Sequence, residues 1–510
     1  MATLPKGRIA LLSTALALAA LLCVIAATRA HASATQESIF QDGARLEDAD
    51  AATQAHALDL LKGLGVDTVH ALVIWSHYAP SPDAAAKPSF NAGDPAAYPT
   101  GVFDKLDSLV KQATARGIGV ILTPTSPIPS WASDCKGSIA KRFGKFQACL
   151  PNATAFEDFV TAVGKRYTGS FAGLPRVTRW SIWNEPNIRG WLAPQFAKSG
   201  KQVVFGAAIR YRALALAGIS GLHAAGHGAD QVMIAELAPI GVLKGNASSH
   251  AAAPEGFLRE VFCLNGRGKA YHGTIAKTHG CKPAPRFAIN AITHHPYTRG
   301  GSQPPDQKPA PGEITLAKID RLYRVLGQAA RARRIPAQLP VYFTEYGFQT
   351  DPPDTIFGLP LDKQSLYLNE SDYVAWLDPR IHGVGQYLIN DDGALGGFQT
   401  GLQFADGTPK PSLAAYKLPI FVISSGGKIT VFGQVRPGGE GETLQIQNDA
   451  GGAFQPVQAV QTGPRGYFNV AVPDLSGQWR LAWTTAAGQT FYSREAAPVP
   501  PPTFGRTPAG

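Results

Sequence analysis

The stretch VTRWSIWNEPN, running from Val177 to Asn187, is an apolar run of strand-forming residues that ends on a carboxylate. Short runs of this kind, rich in β-branched and aromatic residues, suit strands buried on both faces of a parallel sheet. The same texture recurs near Ser38 (SIFQD), Thr68 (TVHALVIW), Ile118 (IGVILTPT), Gln231 (QVMIAEL), Asn290 (NAITHHPY), Leu339 (LPVYFTEY) and Gly383 (GVGQYLIND). Between these runs lie amphipathic stretches such as Asp104–Arg116, Ala155–Tyr167, Ala207–Ala225 and Glu313–Arg334, where apolar residues recur at helical spacing. Strands that alternate with helices predict βα units, and eight units close into a (β/α)8 barrel, an α/β fold, here over residues 35–417. That span exceeds the usual ~250 residues, and loops such as the Pro- and Gly-rich Gly300–Gly312 account for the excess.

From Leu418 the pattern changes to short alternating strands with Gly-rich turns: FVIS, KITVFGQV, ETLQIQN, GYFNVAV and QWRLAWTT. This predicts a small β-sandwich over residues 418–494, followed by a Pro-rich tail, 495–510, expected to be disordered. Trp479 and Trp483 share a strand face by their even spacing, and packing in the sandwich core is preferred over a carbohydrate platform.

The chain has 510 residues, of which 45% are hydrophobic and 16% charged, so there is material for a large packed core and disorder is excluded as the main state. The net charge of +10 is spread along the chain without a basic run, which argues against nucleic acid as a partner. Residues 1–34 read as an export signal: Lys6 and Arg8 precede an Ala/Leu run, and small residues place cleavage after Ala32 or Ala34. An uncleaved membrane anchor is the alternative; with cleavage, no stable membrane insertion is expected. Outside the signal stand Cys135, Cys149, Cys263 and Cys281, an even number for an oxidising compartment. Their grouping into neighbours 14 and 18 residues apart favours Cys135–Cys149 and Cys263–Cys281 as disulfides, over a zinc site that would want a CxxC or a tight Cys/His set.

The chemistry lies at the strand ends. Strand four closes on Trp183-Asn184-Glu185-Pro186-Asn187 and strand seven on Thr344-Glu345-Tyr346-Gly347, so the barrel sets two carboxylates on one rim. A glycosidic bond breaks when one carboxyl protonates the leaving oxygen and another attacks the anomeric carbon. A single Glu at such a place is as readily an ion-pair or capping residue; two on one rim point to catalysis.

On WSIWNEPN and TEYG the chain resembles the retaining glycoside hydrolases of clan A, near families 5 and 39, of secreted bacterial type, over the length of the barrel. The resemblance implies Glu185 as acid/base, Glu345 as nucleophile and Asn184 as donor to the sugar 2-hydroxyl. His295-Pro296-Tyr297 matches a His-x-Tyr pattern whose tyrosine bonds the nucleophile in family 5-like enzymes. Two departures stand out: an arginine on strand two is replaced near His70, and a tryptophan after strand eight by Tyr387 or Asn390. Trp75 and Trp131 follow barrel strands and are taken as sugar-stacking faces, with core packing the competing reading. His294 is open between site residue and buried core histidine, and Asp391-Asp392 is read as a loop cap before a hydroxyl-binding pair.

These observations predict a secreted, monomeric, retaining glycosidase acting on a β-linked polysaccharide or oligosaccharide, with no cofactor and no metal. The competing readings are a non-catalytic carbohydrate-binding or cell-wall-associated barrel, and a furanosidase of the same clan. Sugar and linkage depend on loop geometry around the cleft.

Overall fold

The computed structural model describes residues 36–502, apart from residues 145, 146, 395 and 451. The expected export signal, residues 1–34, lies outside the described residues, as does the tail from residue 503.

Eight parallel strands close a barrel: β1 (Glu37–Gln41), β2 (Thr68–Ile74), β3 (Gly119–Thr125), β4 (Arg179–Ile182), β5 (Gln231–Leu237), β6 (Ala291–His294), β7 (Val341–Phe343) and β8 (Ile381–Tyr387). They are ordered sequentially around the ring, with β8 pairing back onto β1 from Glu37↔Gly383 to Gln41↔Tyr387. One principal helix follows each strand: α1 (Ala51–Gly63), α2 (Asp104–Ala115), α3 (Ala153–Arg166), α4 (Gly206–Ala224), α5 (Pro254–Val261), α6 (Asp320–Arg331), α7 (Leu361–Leu377) and α8 (Pro411–Lys417). The predicted strands begin within two residues of these.

One predicted helix is shorter than its periodicity implied. The segment read as Glu313–Arg334 begins its α-helix only at Asp320, after a 3-10 turn at Leu316–Lys318. Glu313 belongs instead to the preceding loop: its buried carboxylate pairs with Arg299 and accepts from the backbone N–H of Ala310 at 2.9 Å. Neutralised in that way, it anchors the Gly300–Gly312 excursion and is not free to start a helix.

The barrel interior changes character along its axis. Ile39, Ile121, Met233, Ala291 and Tyr342 form an apolar layer drawn from β1, β3, β5, β6 and β7. Toward the carboxyl ends the layer above is polar: His70, Thr123, Ser181, Thr293 and Thr344 are all buried there.

Past the barrel, antiparallel strands β9 (Ile420–Ser425), β10 (Lys428–Gln434), β11 (Thr443–Asn448), β12 (Gln455–Gln461), β13 (Tyr467–Val472), β14 (Trp479–Thr484) and β15 (Thr490–Tyr492) form two sheets, β9-β10-β13 and β12-β11-β14-β15. The sequence reading missed β12 and β15, and both are edge strands. In β12 the proline Pro456 breaks the strand signal, and an edge position is where a proline costs no ladder bond. Alternation divides β9 and β10 between two cores: Ile420, Val422 and Val431 face the other sheet with Leu481, Trp479 and Trp483, while Phe421, Ile423 and Phe432 join the barrel core at Tyr373. Trp479 and Trp483 are therefore core residues. Arg436, buried beneath the sheet, donates to the Tyr416 carbonyl at 3.0 Å and faces Asp372 at 3.5 Å.

The first part of the tail expected to be disordered is held by this sheet pair. Ala496 exchanges backbone hydrogen bonds with Trp479, and Val499 accepts from Ser424 and donates to Val422. The available sheet edge outweighs a local composition rich in proline. Disulfides join Cys135 to Cys149 after β3 and Cys263 to Cys281 after α5. No helix among the described residues is long and apolar enough to cross a membrane.

Candidate active site

Glu185 stands three residues beyond β4, and Glu345 two residues beyond β7. One carboxylate oxygen of each, together with a ring nitrogen of His295 from the end of β6, lies within 4.8 Å of the others. His295 Nδ1 is 3.1 Å from Glu185 Oε1 and 3.4 Å from Glu345 Oε2. Tyr297 donates its hydroxyl to Glu345 Oε2 at 3.2 Å, as the His-x-Tyr pattern implied.

The structure adds a residue that the sequence reading passed over. Glu236, near the end of β5 in QVMIAEL, is fully buried and accepts from His295 Nε2 at 2.8 Å and from the Thr344 hydroxyl. Its second oxygen lies 3.7 Å from His70 Nε2, which is itself hydrogen-bonded to Thr123 Oγ1 at 2.8 Å. The sequence carried a partial signal, since Glu236 is a carboxylate near a strand end as Glu185 and Glu345 are, one residue before the last of β5.

Both ring nitrogens of His295 thus face carboxylate oxygens. Burial works against its charge, yet Glu345, Glu185 and Glu236 together raise its pKa well above the ordinary histidine value. Glu236 is the counterpart: burial pushes its carboxyl up, but His70 and His295 outweigh that and hold it at about 2. Burial and the charge of His295 lower His70 to about 4 against the pull of Glu236, leaving it neutral near pH 7. Glu345 is pushed up to about 7, first by burial and then by Glu185 and Glu236, against the pull of His295. Glu185, His295 and Glu345 thus form one cluster in which each ring nitrogen of His295 is matched to a carboxylate.

Asn184 is buried beside Glu185; its backbone N–H donates to Thr125 Oγ1 at 3.0 Å, and its Oδ1 has no partner among the described residues. Asn187 has a structural role. Its amide nitrogen donates to the carbonyls of Ala238 and Ala252, and its oxygen accepts from the N–H of Ala238, clipping the β4 end to the β5 end. His294 is a buried core histidine: its Nε2 donates to the Ile314 carbonyl at 2.8 Å, while its Nδ1 has no hydrogen-bond partner among the described residues.

Trp75 requires a correction. It is 1% exposed, with Phe159 stacked at 5.5 Å and Trp131 edge-on at 5.9 Å, so both indole faces are covered by protein and none is left for a sugar. Phe159 comes from α3 and Trp131 from the turn that follows β3. Trp131 is half-buried, and its indole N–H reaches the Pro80 carbonyl at 3.2 Å. After β8, Asn390 is tied to the Phe404 carbonyl, leaving Tyr387 to face the charge of Glu345. Asp391 is a loop residue: it is fully buried against Lys410 Nζ at 2.6 Å and accepts from the Gly401 N–H. Asp392 accepts from the N–H of Phe398, also within its loop.

No family model matches the chain, and no curated protein sequence does either. Among solved structures it is similar to a monomeric beta-xylosidase from Caulobacter crescentus CB15, at 16% identity over 87% of this chain and 95% of that one, with a TM-score of 0.46. It is similar to a glucosidase from Croceicoccus marinus at 11% identity, covering 88% of this chain and 94% of that one, TM-score 0.47. A third is an endo-beta-1,4-mannanase from Thermotoga petrophila, at 11% identity over 92% and 98% of the two chains, TM-score 0.40. These are likenesses of overall fold; the chemistry of this site rests on the side chains described above.

Proposed function

We propose that the protein is a retaining β-glycosidase of the clan A type that hydrolyses a β-linked oligosaccharide or polysaccharide by double displacement. The observation that carries this reading is the approach of Glu185 and Glu345 oxygens to within 4.8 Å across the rim. Retaining enzymes hold their carboxyl groups about 5–5.5 Å apart, whereas inverting ones leave about 6.5–9.5 Å for a water.

In the first step Glu345 Oε2 forms a bond to the anomeric carbon as the bond to the leaving oxygen breaks, and the proton of Glu185 passes to that oxygen. In the second, water forms the new bond to the anomeric carbon, the ester to Glu345 breaks, and Glu185 takes the water proton. Tyr297 holds the attacking carboxylate in place, and Asn184, next to Glu185 in the chain, is the proposed donor to the sugar 2-hydroxyl. Trp131 is the remaining candidate for a stacking face.

Residues 36–417 form the catalytic body in this reading, and residues 418–494 an accessory sandwich that braces α7 and α8. The two disulfides support work outside the cytoplasm, as does an export signal over residues 1–34. Each named site residue comes from one barrel, so a single chain suffices for the proposed chemistry. That both carboxylates are present and facing weighs against a binding-only barrel. Proton NMR of the first product from an aryl β-glycoside tests the reading: a β-configured hemiacetal is expected, and an α-configured first product would overturn it.

A further inference from the structure

Glu236 is aimed into the barrel by an irregularity in its strand. β5 pairs in register with β6 at Met233↔Ala291 and Ile234↔Ile292, then shifts before Leu237↔His294. The two residues in the shift, Ala235 and Glu236, have φ of 110° and 42°, a conformation that side chains other than glycine rarely adopt. Such slips re-aim a side chain, and strain of this kind persists where surrounding structure over-determines it. Here the surroundings do so: the Glu236 N–H donates to Thr293 Oγ1 at 3.0 Å and its carbonyl accepts from the Glu185 N–H at 2.9 Å. Glu185 itself has φ of 36°, so two strained backbones are bonded to each other at the acid/base residue.

We propose that Glu236 is a positioning residue: it keeps His295 doubly protonated, so that a standing cation sits between Glu185 and Glu345 and serves whichever of them is the anion. The consequence for catalysis rests on the glycosidase reading above; the state of His295 does not. The groups that face His295 are Glu185 from β4, Glu236 from β5, Tyr297 and His294 from its own element, Glu345 from β7 and His70 from β2. Of these, His70 and His294 are themselves held neutral near pH 7, by burial first, and Tyr297 keeps its proton. A neutral imidazole would turn a lone pair either toward Glu236 or toward the Glu185–Glu345 pair, whereas an imidazolium gives Glu236 the Nε2–H and leaves the Nδ1–H to Glu185 and Glu345. Nothing needs to move between the half-reactions. While Glu345 is the anion, Nδ1–H faces it; once Glu345 is esterified and uncharged, the same N–H pairs with Glu185 as it acts as base. Glu236 is fully buried and touches no substrate.

The test is histidine 15N NMR of the full chain, with Glu236→Gln as the isosteric variant. At pH 8.5 the wild type should retain a histidine with both ring nitrogens protonated, assigned by contacts to Tyr297, and this signal should turn neutral in Glu236→Gln. On an aryl β-glycoside, the acidic limb of kcat/KM should move up in Glu236→Gln, because loss of the His295 cation, the larger influence on Glu345, outweighs loss of the Glu236 charge that itself raises Glu345. A purely structural role would lower the folded fraction and leave the limb where it was. A neutral His295 in the wild type at pH 7 would overturn the proposal even if the variant did not fold, as would a doubly protonated His295 that survives Glu236→Gln. Failure to turn over any glycoside, with the NMR result as expected, would strike the glycosidase reading and leave the Glu236–His295 pair standing.

Discussion

The two ends of the barrel each hold a cation among acceptors, half-buried at one end and fully buried at the other, and they differ in the kind of cation. At the amino end of the strands Arg179 donates to Glu37 at 2.6 Å, Thr68 at 2.9 Å and Gln231 at 2.8 Å, and its guanidinium lies over the Tyr342 ring. At the carboxyl end His295 occupies the corresponding place among Glu236, Glu185 and Glu345. An arginine stays charged at any pH a protein survives, so the lower cluster fixes structure and nothing else. A histidine can lose its proton, and a site built on it couples charge to chemistry. The apolar layer of Ile39, Ile121, Met233, Ala291 and Tyr342 separates the two.

The largest effect that distinguishes the ends is at Glu345. Glu345→Gln should lower kcat by about 10⁴-fold or more, since no covalent intermediate can form, and turnover on aryl glycosides measures it. The same variant should show the pH linkage of the upper cluster. Because the folded carboxyl titrates at about 7 against an ordinary value of 4.5, the folded state binds the proton more tightly between those values. Wild-type stability therefore falls as pH rises from about 4.5 to about 7, while its activity rises through about 7 as Glu345 ionises. Above pH 7, Glu345→Gln should be the more stable protein, by on the order of 1–3 kcal/mol in urea unfolding. Equal stability of the two proteins at pH 5 and at pH 8 would show that burial does not load this carboxyl.

Trp75→Ala comes next. It should cost about 3–5 kcal/mol of stability, as removal of a buried indole does, yet leave KM for a small aryl glycoside unchanged where the variant remains folded. A raised KM with unchanged stability would return Trp75 to the cleft. The smallest effect is expected at the lower cluster: Arg179→Gln should cost about 1 kcal/mol, the worth of a partly exposed ion pair. The midpoints of the activity–pH profile should not move. If they do, the apolar layer does not isolate the two ends.

Within this site, legibility followed sequence distance. Glu185 and Glu345 could be read because each ends an apolar run, and a strand end in a (β/α)8 barrel has only one rim to face. Tyr297 could be read as part of a local pattern with His295. Glu236 could not be placed, because its partner His295 lies 59 residues away and its inward aim depends on a slip in strand pairing that no periodicity records. Trp75 was misread for a related cause: following a strand is a local property, whereas being covered by Phe156 and Phe159 of α3 is not.

The sequence by itself determined the eight βα units, the two carboxylates on the rim, the grouping of the cysteines and the change to antiparallel strands near Leu418, all of which are written in short-range periodicity and composition. Only the tertiary structure decided that three carboxylates share one imidazole, that His70 faces Glu236 and not Glu345, that the two faces of the β9-β10-β13 sheet divide between two cores, and that Ala496 and Val499 are held at a sheet edge. The physical reason is that a one-residue shift in a strand exchanges the face its side chain occupies. The charge state of a buried group, in turn, is set by neighbours that the chain delivers from strands far apart in sequence.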